Sequence, residues 1–321
     1  MIFVVPYTTI DQRLERVTSM TRRLKSFTGI EFLYLVGIVA ISFSSIFVRW
    51  SEADVAVIAM YRLYLTNVLL LPFVWKYRSS LFRLSKRQWG WLAVSGAMLA
   101  LHFLLWMASL RYTTVASSTV ILTLEPLMVM LGSYWLFRAK ANAMMLWGMG
   151  IAIAGSIVIG AGDFQLSGTA LYGDALSFFG TIAVALHMLI GKKLREGIDA
   201  FPYNFWVFAF AASFLAVYNV AQGNAFTGYE ASEWGIFLLL AIIPTLFGHY
   251  LFNWLLKYMN ATAVSMSVLG EPVIASLLAW LLLKESLTAY QLGAGVFILF
   301  GVWLFLRYGE KSNRSVPASE S

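Results

Sequence analysis

The chain contains no cysteine in 321 residues, which excludes disulfide bonds and metal sites built on thiolates. Charged residues are also scarce, at 12%, while hydrophobic residues make up 60%; soluble domains have about 25% and about 45–50% of these classes. The three histidines lie far apart, and no His-Glu-x-x-His, Gly-x-Ser-x-Gly or nucleotide-binding Gly-x-x-x-x-Gly-Lys-Ser/Thr pattern occurs. Metal catalysis and ATP-driven pumping are therefore disfavoured, and we expect no metal and no cofactor.

Long apolar runs take the place of the missing charge. A helix needs about 17–25 mostly apolar residues to cross a bilayer, and runs of that length recur between short polar loops. We therefore predict an all-α membrane protein with ten transmembrane helices. They are predicted at 32–50, 54–75, 89–110, 114–137, 143–161, 172–191, 203–221, 234–255, 261–283 and 288–307.

The basic residues indicate which helix ends face the cytoplasm. Lys and Arg collect on the cytoplasmic side of membrane proteins. An inside N-terminus puts 19 of the 23 basic residues in inner segments and three in outer ones, with Arg62 inside a helix. We expect a multi-pass protein of the cell membrane with both termini cytoplasmic. The net charge of +7 then faces the lipid bilayer, so we do not expect nucleic acid as a partner.

Two polar segments flank the ten helices. Residues 1–31 mix apolar and basic residues near helical spacing, which fits an interfacial amphipathic helix and fits a disordered basic tail equally well. Residues 308–321 are polar, and we predict a disordered cytoplasmic tail there.

Two Glu-Pro dipeptides are the most informative features within the helices. Glu125-Pro126 and Glu271-Pro272 lie 146 residues apart, each near the middle of an apolar run. A carboxylate at mid-bilayer depth costs roughly 2.5–3.5 kcal/mol. The proline after it breaks the helical hydrogen bonding, so we expect free carbonyls four residues back, at Leu122 and Val268. A costly break in each half of the chain indicates a duplicated transporter.

The same offset of 146 relates other positions of the two halves. Because each half has five helices, an odd number, the second half must enter the membrane in the opposite direction. We predict two inverted five-helix repeats, at 32–161 and 172–307. The matching positions are Leu110-Arg111-Tyr112 with Leu256-Lys257-Tyr258, Leu136 with Leu282, and Gly155 with Gly301.

Further motifs occur in a characteristic order. Residues 104–114 lead to Pro126 in the first half, and Leu256-Lys257-Tyr258 leads to Glu271-Pro272, 281–285, Gly293 and Gly301 in the second. Over 32–307 the chain resembles the drug/metabolite transporter superfamily, in its ten-helix EamA-like branch. The resemblance implies a secondary transporter with a cavity between the repeats, commonly an exporter of amino acids, other metabolites or drugs. One position departs, since Ala139 stands where the second repeat has Glu285, and a different cap or packing is expected there.

Three ionisable residues lie deep in the predicted helices. Glu125 and Glu271 would face one cavity, where they can bind an amine or carry a proton; alternatively, each is satisfied by a neighbouring helix and holds the proline break. Arg62 can hold a substrate carboxylate with its guanidinium fork. It can also form a structural ion pair with one glutamate, because an unpaired buried charge is costly.

Histidine and aromatic residues supply further candidates for the cavity wall. His102 and His249 fall within one position of each other under the offset, and Trp106, Tyr250 and Asn253 lie near them on the same helices. Such polar-aromatic faces suit small ligands, and histidine can carry protons, although packing alone explains them too. For His187 we expect only a hydrogen bond.

Small residues recur in the fifth and tenth helices, among them Gly148, Gly155 and Gly301. They permit close helix approach, either within a protomer or at a homodimer contact. Pro244, in the eighth helix, predicts a kink or hinge.

Three classes of function remain. A secondary transporter, exporting a small molecule such as an amino acid or amine by alternating access, explains the ten helices, the repeat and the paired breaks. Proton coupling stays open, as do the substrate and the direction. A receptor or scaffold that conducts nothing explains the deep carboxylates poorly, and an intramembrane enzyme would need a nucleophile or metal cluster that the sequence lacks.

Overall fold

The computed structural model describes residues 29–30, 32–161, 168–284 and 289–314, and in this part of the chain it contains helices and no strands. Two of the helices are interrupted. The helices are α1 Phe32–Trp50, α2 Val55–Phe82, α3 Lys86–Tyr112, α4 in two parts (Val115–Leu122 and Glu125–Phe137), α5 Ala143–Ala161, α6 Gly168–Leu194, α7 Ala200–Gln222, α8 Ala231–Leu255, α9 in parts (Ala261–Ser265, Met266–Gly270, Glu271–Leu278 and Ala279–Leu283) and α10 Ala289–Arg314.

The prediction of an all-α membrane protein with ten helices is confirmed. Of the described helices, nine are long and apolar enough to cross a membrane, and α5 is a shorter apolar helix. The predicted disordered tail at 308–321 is wrong in its first part, because α10 continues to Arg314. Polar residues end a membrane span without ending a helix, since most of them are tolerated helix formers. The interfacial helix is predicted within residues 1–31, and of these the structure describes only residues 29 and 30.

The helices pack in the way expected if an approximate two-fold axis relates the two halves. α2 packs against α7, α4 against α9 and α5 against α10, so these three helices each meet their own counterpart from the other repeat. α3 packs against α6, and the equivalent pair, α8 and α1, is also in contact through Gly248 and Ile41.

Local structure repeats at the same offset. Thr114 caps the start of α4 by accepting from the Ser117 N–H, and Asn260, 146 residues later, caps α9 by accepting from the Ala263 N–H. Arg138 and Lys284, again 146 apart, end the broken helices with φ of 54° and 58°, and they are the two non-glycine residues with positive φ in the described chain. A left-handed residue is a common helix end.

The end of α4 at Ala139 is closed by backbone hydrogen bonds. The Ala139 N–H donates to the Ser133 carbonyl at 3.3 Å and closes the end of α4. Because these are backbone hydrogen bonds, they do not require an acidic side chain. Glu285, its counterpart, lies outside the described residues.

The contact between α5 and α10 explains the glycines of these two helices. A Cβ atom added at Gly148 would lie 2.7 Å from the Gly301 carbonyl oxygen, and one added at Gly155 would lie 2.9 Å from the Ala294 carbonyl oxygen. These glycines permit close packing within one protomer. Gly150 has open space around it.

Candidate functional site

The two broken helices, α4 and α9, cross at their breaks. In α9, Ala261–Ser265 packs against the second part of α4, and Glu271–Leu278 packs against the first part of α4. The second part of α4 and the segment Glu271–Leu278 each begin with the glutamate of a Glu-Pro dipeptide, Glu125 and Glu271. The repeat thus brings two carboxylates, distant in sequence, to one crossing point.

The break in α9 is a tight helical turn rather than an open one. Residues Met266–Gly270 form a 3₁₀ segment, and the Glu271 N–H donates to the Val268 carbonyl. The expectation of a free carbonyl at Val268 is therefore wrong, because a 3₁₀ turn supplies an N–H three residues ahead where Pro272 cannot supply one four residues ahead.

Both carboxylates are buried and lack polar partners. Glu125 and Glu271 are each 3% exposed. Within the described ranges neither carboxylate makes a hydrogen bond or ion pair, and Oε1 of Glu125 is fully buried without a partner. Their charges lie within interaction range of each other. Because a buried carboxylate without donors is costly, this site needs a proton, a cation or a polar ligand.

Arg62 of α2 is the third charged group at the centre. It is 0% exposed; its Nε donates to the Thr245 hydroxyl at 2.9 Å and its Nη1 to the Ser44 hydroxyl at 3.1 Å. The guanidinium carbon lies 4.3 Å from the centre of the Phe103 ring, a cation–π contact.

The predicted ion pair between Arg62 and a glutamate is not formed in the described part of the chain. Hydroxyl groups and an aromatic ring surround the guanidinium instead, while Glu271 lies only within range of its charge. Nη2 of Arg62 is buried and has no hydrogen-bond partner among the described residues. The two N–H groups of this nitrogen are therefore available to a ligand.

A proline in α8 positions the residue that holds Arg62. Ala241–Tyr250 is a π-helical segment that contains Pro244, and such segments are frequent at functional sites. Pro244 has no N–H for the Leu240 carbonyl, and the Thr245 hydroxyl donates to that carbonyl at 2.7 Å. The same hydroxyl accepts from Arg62, so the helix irregularity and the buried charge stabilise each other.

His102, Trp106 and His249 lie near one another on α3 and α8; their place in a common cavity wall stays a prediction. The His102 and His249 ring centres are 6.4 Å apart, and His102 stacks on Trp106 at 6.1 Å. Nδ1 of His102 lies 3.0 Å from the Gly180 carbonyl oxygen and therefore donates to it. Nε1 of Trp106 is buried without a partner. Phe103 lies between Arg62 and His249, 4.9 Å from the His249 ring.

Tyr250 and Asn253 do not join this cluster. Asn253 donates to the Asn204 side chain at 2.9 Å, so it serves the contact between α8 and α7. Tyr250 lines a separate cavity near the basic end of the helices. Tyr250 directly follows His249 in α8, so the two side chains leave the helix in different directions. His187 bonds Ser95 at 2.9 Å, the structural role expected of it.

Sequence reasoning missed Ser44, Phe103 and Thr245. Serine, threonine and phenylalanine are common in membrane helices, and nothing in their spacing marks these three. Arg62 was the residue that could have indicated them, since a buried guanidinium requires hydrogen-bond acceptors nearby. Pro244 indicated that a second polar partner was needed, because it leaves the carbonyl four residues back without its helical N–H.

Comparisons with known proteins agree with this architecture. The model of the EamA-like transporter family matches residues 28–161 and 171–307. An uncharacterized transporter of Archaeoglobus fulgidus is 24% identical over 61% of this chain and 69% of its own length. The uncharacterized transporter YetK of Bacillus subtilis is 26% identical over 65% of each chain, so the match spans just under two thirds of that relative.

A solved crystal structure has the same fold, with a TM-score of 0.73 at 14% identity, over 88% of this chain and 98% of that one. The family match covers both halves of the chain, on either side of the short segment between α5 and α6. The chain belongs to the EamA-like transporter family, within the drug/metabolite transporter superfamily.

Proposed function

We propose that this membrane transporter exports a small metabolite by alternating access at the crossing of α4 and α9. The observation that supports this most directly is the pair of buried carboxylates without polar partners, Glu125 and Glu271. Intramembrane carboxylates commonly mark substrate or proton pathways. Family and relatives point to a transporter rather than an enzyme.

The charges at the centre favour a substrate that carries an ammonium group. Glu125 and Glu271 offer two acceptors, and the free Nη2 of Arg62 offers a donor to a carboxylate. An amino acid or an amine fits this set, with His102 and Trp106 as wall residues. Either glutamate can also carry the proton that would couple export to a pH gradient.

Contacts at one end of the helix bundle support alternation. At the end with few basic residues, Glu233 of α8 accepts from the Ser51 hydroxyl at 2.5 Å and from the Glu52 N–H at 2.7 Å. Ser117 of α4 donates to Asp174 of α6 at 2.8 Å. Both contacts join the two repeats, as a closed outer gate would. We therefore interpret this conformation as closed to the outside.

The test is efflux of labelled amino acids and amines from proteoliposomes, with and without an imposed pH gradient. We expect efflux of at least one compound, and we expect Glu125→Gln or Glu271→Gln to abolish it or to remove its dependence on the gradient. Glu196→Gln is the matched control, because Glu196 is exposed and pairs with Lys193 on the surface.

Normal efflux with unchanged pH dependence in both central variants would refute a role for the carboxylates. If efflux by the unmodified protein does not depend on the pH gradient, the protein is a facilitator rather than a proton-coupled exporter. No efflux for any compound in the panel would contradict the proposed substrate class.

A further inference from the structure

A second polar cavity lies apart from the carboxylate crossing, at the basic end of the helices. It has a volume of about 280 Å³, near the low end of the range for small-ligand pockets. None of Arg62, Glu125, Glu271 or His102 lines it. Its walls come from α2 (Tyr77), the connection from α6 to α7 (Arg195, Asp199), the start of α7 (Ala200, Phe201), the end of α8 (Tyr250, Trp254) and the residues after α8 (Lys257, Tyr258).

Arg195 gives this cavity a fixed positive charge. Only 1% of its surface is exposed, and its guanidinium donates to two backbone carbonyls, those of Asn253 at 3.0 Å and Ile198. No carboxylate within the described residues forms an ion pair with it. Two neutral carbonyls hold the group in place, and the carboxylate of Asp199, which lines the same cavity, lies within range of its charge without forming an ion pair.

Lys257 and the start of α7 add to the positive potential. Lys257 pairs with Asp199 at 3.4 Å, with the two side chains 46% and 66% exposed, so this pair is weak. Asp199 precedes α7 but makes no side-chain capping bond, which leaves the N–H groups of Ala200 and Phe201, the two residues before Pro202, without a side-chain acceptor. A helix start favours an anion, and here it adjoins a buried guanidinium.

The tyrosines add uncharged donors. Tyr77, Tyr250 and Tyr258 line the cavity, and the hydroxyl groups of these three make no hydrogen bond within the described ranges. Hydroxyl, ammonium and guanidinium groups together match a tetrahedral oxyanion, which accepts several hydrogen bonds at once.

The equivalent corner of the first repeat is satisfied internally. Arg49 and Arg111 correspond to Arg195 and Lys257 under the offset of 146, and Ala53 corresponds to Asp199. Arg111 donates to the Ser51 and Ala53 carbonyls at 2.9 and 3.1 Å. The second repeat also has basic residues at both positions. Its Lys257, however, donates to the side chain of Asp199, whereas Arg111 donates to backbone carbonyls.

We propose that the cavity around Arg195 and Lys257 is a binding site for a phosphate group at the cytoplasmic membrane surface. A phospholipid headgroup and a soluble phosphorylated molecule share this chemistry. The basic end of the helix bundle is where anionic headgroups concentrate. The site is separate from the carboxylate crossing, so the inference does not rest on the transport proposal.

Isothermal titration calorimetry on the purified full-length chain in neutral detergent tests the site. The probes are inorganic phosphate and dihexanoyl phosphatidylglycerol, titrated separately. Binding of phosphate with or without the lipid identifies a site for free oxyanions, and binding of the lipid alone identifies a headgroup site. Binding of neither probe would overturn the proposal.

Substitutions locate the binding. Lys257→Gln and Tyr77→Phe should each weaken binding, Lys257→Gln by about tenfold or more, since hydrogen bonds to charged groups are the stronger ones. Lys257→Arg should retain it. Lys193→Gln is the control, because it removes the same charge from a side chain that is 70% exposed and lies outside the cavity. Equal losses in Lys257→Gln and Lys193→Gln would show non-specific attraction and refute the site.

Arg195→Gln should give the largest loss, but Arg195 also holds the end of α8 through Asn253. The surface variants therefore decide the outcome even where Arg195→Gln fails to fold.

Discussion

Replacement of Thr245 by valine preserves the shape of the side chain, but it should still strongly lower the free energy of unfolding. The Thr245 hydroxyl accepts from Nε of Arg62 at 2.9 Å and donates to the Leu240 carbonyl at 2.7 Å. Valine fills the same volume, so no cavity arises and only these two hydrogen bonds are lost. Both partners are buried, and Arg62 has already one nitrogen without a partner.

The magnitude follows from the kinds of bond. A hydrogen bond from a charged group contributes about 1.5–3 kcal/mol and a neutral one about 0.5–1.5 kcal/mol, so the free energy of unfolding should fall by about 2–4.5 kcal/mol. Thr181→Val is the matched control. Its hydroxyl is also buried but donates only to the Ser177 carbonyl, at 2.8 Å, and its loss should cost about 1 kcal/mol.

Thermal unfolding of the purified chain in detergent, followed by tryptophan fluorescence, ranks the variants. We expect the midpoint to fall in the order unmodified chain, Thr181→Val, Thr245→Val, with Thr245→Ser close to the unmodified chain because it keeps the hydroxyl. A Thr245→Val midpoint equal to or above that of Thr181→Val would show that Arg62 does not depend on this hydroxyl, and the account of the central cluster would be wrong.

Two further predictions concern packing and gating. Gly148→Ala should lower the unfolding midpoint, because the new methyl group meets backbone atoms of α10 at 2.7 Å and overpacking costs about 1–3 kcal/mol. Gly150→Ala, in the same helix, has open space around the new methyl group and should be neutral or stabilising. Equal losses of stability in the two variants would contradict this packing. Glu233→Ala removes two hydrogen bonds between α8 and the loop after α1. In a chain without native cysteine, a cysteine at Ser118 should then react faster with a maleimide, and an unchanged rate would argue against an outer gate.

Sequence reasoning reached most of the fold because bilayer physics acts locally. Each apolar run must form a helix, since lipid offers no partner for backbone polar groups, and the Glu-Pro dipeptides marked the breaks in α4 and α9. The offset of 146 also foretold equivalences that were not sought, such as the left-handed pair Arg138 and Lys284.

The partners of the buried polar groups could not be read in the same way. Arg62 was expected to meet a glutamate, whereas it bonds Ser44 and Thr245, residues 18 and 183 positions away. Tyr250 and Asn253 were grouped with His249 by periodicity. In the structure Tyr250 lines the cavity at the basic end, and Asn253 donates to Asn204 of α7.

The sequence by itself determined the ten helices, their duplication and the depth of three charged residues, because these follow from hydrophobicity and spacing along one chain. Only the tertiary structure decided which donors and acceptors meet. Within the described residues Glu125 and Glu271 make no hydrogen bond or ion pair, and Arg62 bonds hydroxyl groups, because of how α2, α4, α8 and α9 cross. That crossing depends on side-chain packing between segments far apart in sequence.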